Sequence, residues 1–161
     1  MKEVKIESKL FVFDNLEELP RDIAGLMGKA IKARSRAYAP YSNFQVGAAL
    51  LLDNGEIITG NNQENASYPS GLCAERTAIY YAGSQYPNAK VLYMAITATA
   101  KDNPTKEPIP PCGACRQAMV EYEIKQHAPI AIYFMGKIGA VAKSNSVSDL
   151  LPFVFDKSVL F

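Results

Sequence analysis

A chain of 161 residues with 48% apolar side chains is long enough to bury one substantial core and too short for several domains. Its 17 Lys and Arg against 16 Asp and Glu leave a formal charge of +1, which excludes the one-sided field that a nucleic acid or an anionic membrane surface demands. Residues 1–10 alternate charged with apolar side chains and lack the apolar stretch of a secretory signal, while the longest apolar run, 46–52, is far too short to cross a bilayer. The expectation is a single cytoplasmic domain over residues 1–161, with residues 1–19 as an extension ahead of its core.

After a short extended start, Pro20 opens a helix to about residue 38, with Ile23, Leu26, Met27, Ala30, Ile31 and Arg34 at helical spacing and Ala39-Pro40 as its stop. Residues 46–53 and 56–61 read as strands around Asn54-Gly55, a dipeptide that tolerates positive φ and so favours a tight hairpin. Residues 73–82 read as helix, 91–99 as a buried strand and 113–122 as a further helix behind a Pro-rich loop. Strands at 130–135 and 138–143 meet at Gly136-Lys137, and a short helix near 147–151 follows. This order predicts a mixed sheet with helices on both faces. Lys29, Lys32, Arg34 and Arg36 are the basic cluster of the chain and read as a solvated helix face.

Three cysteines cannot pair off among themselves, and in a reducing compartment they are thiols or metal ligands. Pro111-Cys112-Gly113-Ala114-Cys115 sets two thiols three positions apart, a spacing at which the first turn of a helix aims both sulfurs at one ion. Cys73 also falls at a helix start. The partial positive charge of helix N-termini favours thiolate and offsets the negative charge of three sulfurs around a divalent cation. Three protein ligands suit a catalytic zinc with an open position, whereas His127, the single histidine, would close a structural Cys3His site. The plainer alternatives are three small buried apolar residues and, for His127, an ordinary loop position. Glu75 reads either as a first-turn helix carboxylate or as a general acid and base beside the metal.

The segments Cys73-Ala-Glu75 and Pro111-Cys-Gly-Ala-Cys115 resemble the zinc-dependent nucleoside and nucleobase deaminases. With Tyr41-Ser-Asn-Phe-Gln-Val-Gly-Ala48, Gly60-Asn-Asn-Gln-Glu-Asn-Ala66 and Arg116-Gln117 in the same order, residues 20–155 resemble the small three-cysteine, homotetrameric cytidine deaminases. The resemblance implies a three-layer α/β/α sandwich around a mixed five-stranded sheet. It implies one zinc per chain on Cys73, Cys112 and Cys115, with Glu75 moving protons during hydrolytic deamination of cytidine and deoxycytidine for pyrimidine salvage. It further implies substrate contacts from Phe44, Val46, Asn62, Glu64 and Ala74, with Asn62 and Glu64 on the sugar hydroxyls. Phe155 would be offered to a neighbouring subunit's pocket in a homotetramer with shared sites. Arg76, and Gln117 beside it, would hydrogen-bond metal-bound sulfur. A small free nucleoside, not a nucleic acid, is the implied partner. The loop 100–110 and the N-terminal extension depart from this pattern. The loop reads as a solvated, Pro-stiffened connector, and Phe153 with Leu160-Phe161 reads equally as part of the tail offered to a neighbour or as apolar tail that docks on the subunit's own core.

Overall fold

Strand-period burial organises the centre of the molecule. Along β2 (Phe44–Leu52), Ala48 and Leu50 turn to one face and Ala49 to the other, and along β4 (Val91–Ala100), Met94 and Ile96 oppose Ala95. Both faces must therefore be covered. In this computed structural model, which describes residues 1–160, one face carries α1 (Arg21–Arg34) and the other α2 (Ala74–Gln85) and α3 (Gly113–Gln126). Ile23, Leu26, Met27 and Ala30 of α1 meet Ala95, Tyr133 and Met135, while Ala78, Ile79, Met119 and Val120 of α2 and α3 meet Leu50, Ile96, Ile132 and Phe134. Each fully buried Leu, Ile or Met contributes roughly 1.5–3 kcal/mol through removal from water.

The remaining strands are β1 (Phe11–Phe13), β3 (Ile57–Asn61), β5 (Ala131–Met135) and β6 (Val141–Ser144). The sheet runs β1-β6-β5-β4-β2-β3, with β4 and β5 parallel through α3 and the other neighbours antiparallel. The three-layer mixed sandwich is as expected, but the sheet has six strands, not five. The added strand is β1, in which Phe11 to Phe13 of the extension pair with Lys143 to Val141 and cover the edge of β6. The Asn54-Gly55 hairpin forms, with Gly55 at φ 86° and Glu56 N bonded to Asn54 Oδ1 at 3.0 Å. Helix α1 stops at Arg34, four residues short of the expected end. There Ser35 Oγ caps the Lys32 carbonyl at 2.9 Å, and Tyr38 is drawn into backbone bonds with Asn62 O at 3.0 Å and Glu64 N at 2.9 Å. The expected helix at 147–151 is a single 3-10 turn, Ser148–Leu150.

Arg34 corrects the reading of the basic cluster as a solvated helix face. Arg34 is 8% exposed, and its Nη1 donates to Thr97 Oγ1 and, at 3.5 Å, to the Gly136 carbonyl, so only Lys29, Lys32 and Arg36 of the basic cluster are solvated. The loop 100–110 is mostly exposed, as a solvated connector would be, and is also anchored to the β5–β6 turn. Thr105 Oγ1 donates to Ala98 O at 2.6 Å, Lys137 N donates to Thr105 O at 2.8 Å, and a Cβ on Gly136 would sit 2.6 Å from that same oxygen. Phe153 and Leu160 project outward instead of docking, and Phe161 lies outside the described residues.

Glu123 of α3 pins the segment that follows β6. Its carboxylate accepts from Ile130 N, Val147 N and Ser146 Oγ at 2.8 Å, from Ser148 Oγ at 2.7 Å and from Ser148 N at 3.1 Å. Burial pushes this carboxyl up, and the hydrogen bonds from Ile130, Ser148, Val147 and Ser146 outweigh it and hold the group below the usual carboxylate range. The stability it adds is therefore complete above about pH 4.3, the unfolded value, and is lost as pH falls through the lower folded value. Glu123→Gln is expected to cost about 2–3 kcal/mol at neutral pH, because an amide nitrogen faces donors there, and to flatten the acid limb of urea-unfolding stability against pH.

Candidate metal centre and nucleoside cavity

Two helix starts supply the sulfurs. Cys73 is the N-cap of α2 and Cys112 the N-cap of α3, neither side chain makes a capping bond, and Cys115 lies in the first turn of α3. The three Sγ atoms lie within 4.8 Å of one another, with Cys112 exposed and Cys115 fully buried. Sulfurs about 2.3 Å from one tetrahedral zinc stand about 3.8 Å apart, so modest closure of this triangle fits zinc, and three thiols are a donor set that zinc prefers. The Cys115 thiol, by hydrogen bonding, and then the Arg76 guanidinium hold the Cys73 thiol down at about 5 against the effect of burial. The same shared bond pushes Cys115 up. One sulfur is thus ready as thiolate before a cation arrives.

His127 takes no part. It is the C-cap of α3 at φ 52°, at the opposite end of a 14-residue helix from Cys112, and so about 20 Å away. The closed Cys3His arrangement is excluded by that separation.

Glu75 follows in the first turn of α2 and is 4% exposed. Burial, with the adjacent Cys73 sulfur, holds its carboxyl above the ordinary glutamate range, the condition of a group that must carry a proton as well as release one. The close seating of this turn depends on Gly60 of β3, where a Cβ would lie 2.7 Å from Ala78 N and closer still to the Ala74 carbonyl. Arg76 extends along the sulfurs, its Nη2 donating to Cys73 Sγ at 3.5 Å, while its buried Nε has no partner among the described residues.

A cavity of about 480 Å³ opens beside Cys73 and Arg76 and is lined by Tyr41, Ser42, Asn62, Glu64, Tyr68 and Leu72, among others. Glu64 is held at its rim by Ser42 Oγ, by Tyr41 N at 2.9 Å and by Ser42 N at 3.3 Å; the hydroxyl bond is the main cause that keeps its carboxyl below the usual range. Asn62 uses its amide to extend the sheet: Oδ1 accepts from Val46 N at 2.8 Å and Nδ2 donates to Phe44 O at 2.9 Å. One N–H and one lone pair remain on that amide for a ligand. These bonds also hold Phe44 and Val46, both half-buried, to Asn62, although neither of the two lines the cavity itself. Ala74, fully buried, lies between the sulfur and Glu75.

One position differs from expectation, and a second lies off the cavity of its own chain, where a residue meant for a neighbouring subunit would be. Gln117 Nε2 donates to the Phe155 carbonyl at 2.8 Å and not to a sulfur, because its place on α3 faces the C-terminal tail. Phe155, 60% exposed, projects from that tail and does not line the cavity of its own chain. Sequence reasoning also missed Ser42, although a serine two residues before Phe44, whose N–H it accepts at 3.0 Å, is a local turn signal. Tyr41 and Tyr68, packed edge-on at 6.2 Å, carry no such signal, since they meet only in the folded chain.

Residues 20–129 match the family profile described as the cytidine and deoxycytidylate deaminase zinc-binding region. The chain is 46% identical over 130 residues to a cytidine deaminase of Halalkalibacterium halodurans, covering 81% of this chain and 91% of that protein. It is 38% identical over 139 residues to a cytidine deaminase of Sporosarcina psychrophila, covering 86% and 95%. Among solved structures, the cytidine deaminase of Burkholderia pseudomallei superposes with a TM-score of 0.72 at 39% identity, covering 85% of this chain and all of that one.

Proposed function

The chain belongs to the zinc-binding cytidine and deoxycytidylate deaminase family, and we propose that it hydrolyses cytidine and deoxycytidine to uridine and deoxyuridine with release of ammonia. The observation that carries this reading is the convergence of three thiols, a buried carboxylate and a nucleoside-sized cavity at the start of α2.

Cys73, Cys112 and Cys115 hold the zinc, which when bound supplies the Lewis acidity that makes water nucleophilic near neutral pH. Glu75 removes a proton from the attacking water and passes it to the pyrimidine N3 as the new bond forms at C4. It then carries the second proton to the departing amino nitrogen, so that water and nucleoside leave as ammonia and the oxo product. A carboxyl held above its ordinary range serves both directions of transfer. Arg76 donates to Cys73 sulfur and so withdraws negative charge that three thiolates would otherwise concentrate at the cation. Glu64, already oriented by Ser42 and Tyr41, accepts from sugar hydroxyls, and the free N–H and lone pair of Asn62 reach the same sugar.

Phe155 and Phe153, 60% and 81% exposed on a tail tied to α3, suit a homotetramer in which a neighbour's ring closes the site. Three free thiols fit a reducing cytoplasm and a salvage role there.

The test is ammonia release and ultraviolet change on cytidine, deoxycytidine, cytosine, deoxycytidine monophosphate and adenosine with zinc-quantified protein. Turnover of the two cytosine nucleosides alone is expected, and no turnover with zinc bound would sink the reading. Ser42→Ala is expected to raise KM for cytidine about three- to tenfold with kcat nearly unchanged, since a bond that orients Glu64 acts equally in ground and transition states. Steady-state kinetics across the two nucleosides would check it.

A further inference from the structure

Cys112 is the exposed member of the sulfur triangle, and its side chain is held by no capping bond. Its position rests on backbone. Proline at 111 fixes φ, which leaves the orientation of the planar Pro111–Cys112 peptide to be set by the direction of the Pro111 carbonyl. That carbonyl accepts from Arg116 Nε at 2.8 Å, and the Cys112 carbonyl accepts from Arg116 N at 3.0 Å. Arg116 therefore grips the peptides on both sides of the Cys112 Cα.

The second arm of the same guanidinium, Nη1, donates to the Leu150 carbonyl at 2.9 Å. Leu150 closes the turn that begins at Val147, with Leu150 N on Val147 O at 2.9 Å, and that turn is the one Glu123 holds through Ser146, Val147 and Ser148. Arg116 and Glu123 lie seven residues apart on α3, so a ring of bonds runs from the helix through the turn and back to the loop before Cys112.

We propose that Arg116 is a positioning residue for the metal-binding loop: its forked guanidinium locks Pro111 to Leu150 and so keeps Cys112 sulfur in place for zinc, with Glu123 anchoring the far side of the fork. This role rests on the zinc reading given above. A planar fork with separate donors can bridge two carbonyls, and a lysine ammonium on a flexible stem does so poorly. Arg116 lies outside the nucleoside cavity, so substrate binding is untouched.

The experiment measures zinc release from the zinc-loaded protein to a chromophoric chelator, alongside KM and kcat for cytidine, in Arg116→Gln, Arg116→Lys and Glu123→Gln. Partners of this kind typically govern metal affinity by 10- to 100-fold, so release about 10- to 100-fold faster is expected in Arg116→Gln, a smaller acceleration in Arg116→Lys, and an unchanged KM in the zinc-saturated enzyme. The double variant Arg116→Gln with Glu123→Gln is expected to release zinc no faster than Arg116→Gln alone, because both act through one chain of bonds. Should Arg116→Gln fail to fold, Arg116→Lys and Glu123→Gln carry the same comparison. Release within twofold of the parent rate in folded Arg116 variants overturns the role, as does a loss of melting temperature equal in zinc-free and zinc-loaded protein with release unchanged. Release at the parent rate in Glu123→Gln removes the carboxylate from it. Faster release in a protein that deaminates neither cytosine nucleoside would overturn the substrate and leave Arg116 in place.

Discussion

Glu75→Gln is expected to lower kcat for cytidine by about 10²- to 10⁴-fold while the protein keeps its zinc and its fold. The size follows from what an amide cannot do. Glutamine has nearly the same shape, so the buried first turn of α2 keeps its packing against β3 through Gly60. It cannot remove a proton from water or carry one to the base, and both transfers are assigned to this single side chain. Because burial and the neighbouring Cys73 sulfur disfavour a charge at this position, the amide should leave stability unchanged or raise it. Paired measurements of kcat, zinc content and thermal melting separate the outcomes. A fall of less than about tenfold would move proton transfer to another group.

Cys115→Ser is expected to abolish activity by a different route, through loss of the metal. Cys115 is fully buried, and its sulfur is the first of several neighbours, with Arg76 and Cys112, that hold the Cys73 thiol down at about 5. A serine hydroxyl is shorter and stays protonated, so it neither reaches the cation nor prepares Cys73 to do so. If a structural zinc is bound by about 10–16 kcal/mol in total, one thiolate of the set is worth several kcal/mol, a loss of affinity of roughly a thousandfold. Equilibrium dialysis against a chelator of known affinity measures it. His127→Gly serves as the contrast, because glycine accepts the φ of 52° at that helix end and the site lies at the other end of α3. Zinc and turnover are expected to match the parent protein there.

The parts of this molecule that were legible in its sequence are those whose meaning is local. The three-position step from Cys112 to Cys115, the Cys73-Ala74-Glu75 triplet at a helix start, the Asn54-Gly55 turn and the apolar run along 46–52 each state their geometry within a few residues. The parts that were not legible depend on partners far along the chain. Arg34 looks like one more surface cation until Thr97 of β4 and the Gly136 carbonyl of the β5–β6 turn arrive to receive it. Strand β1 is three residues long and half exposed, too short for a period to show, and it exists because β6 offers an unpaired edge. Gln117 sits one residue from Arg116, yet one reaches the tail at Phe155 and the other the carbonyls of Pro111 and Leu150. Neither choice can be read from α3 alone. Asn62 shows the mixed case: its place in the cavity follows from the motif, but half of its amide is spent on Phe44 and Val46 of a strand sixteen residues away.

Titrating zinc into metal-free protein while following ultraviolet change on cytidine tests the central claim most directly. No conversion is expected before zinc is added, with the rate rising in proportion and levelling at one zinc per chain, as the three thiols become protected from alkylation together. Conversion in the metal-free protein, or saturation of the three thiols with no uridine formed, would contradict it.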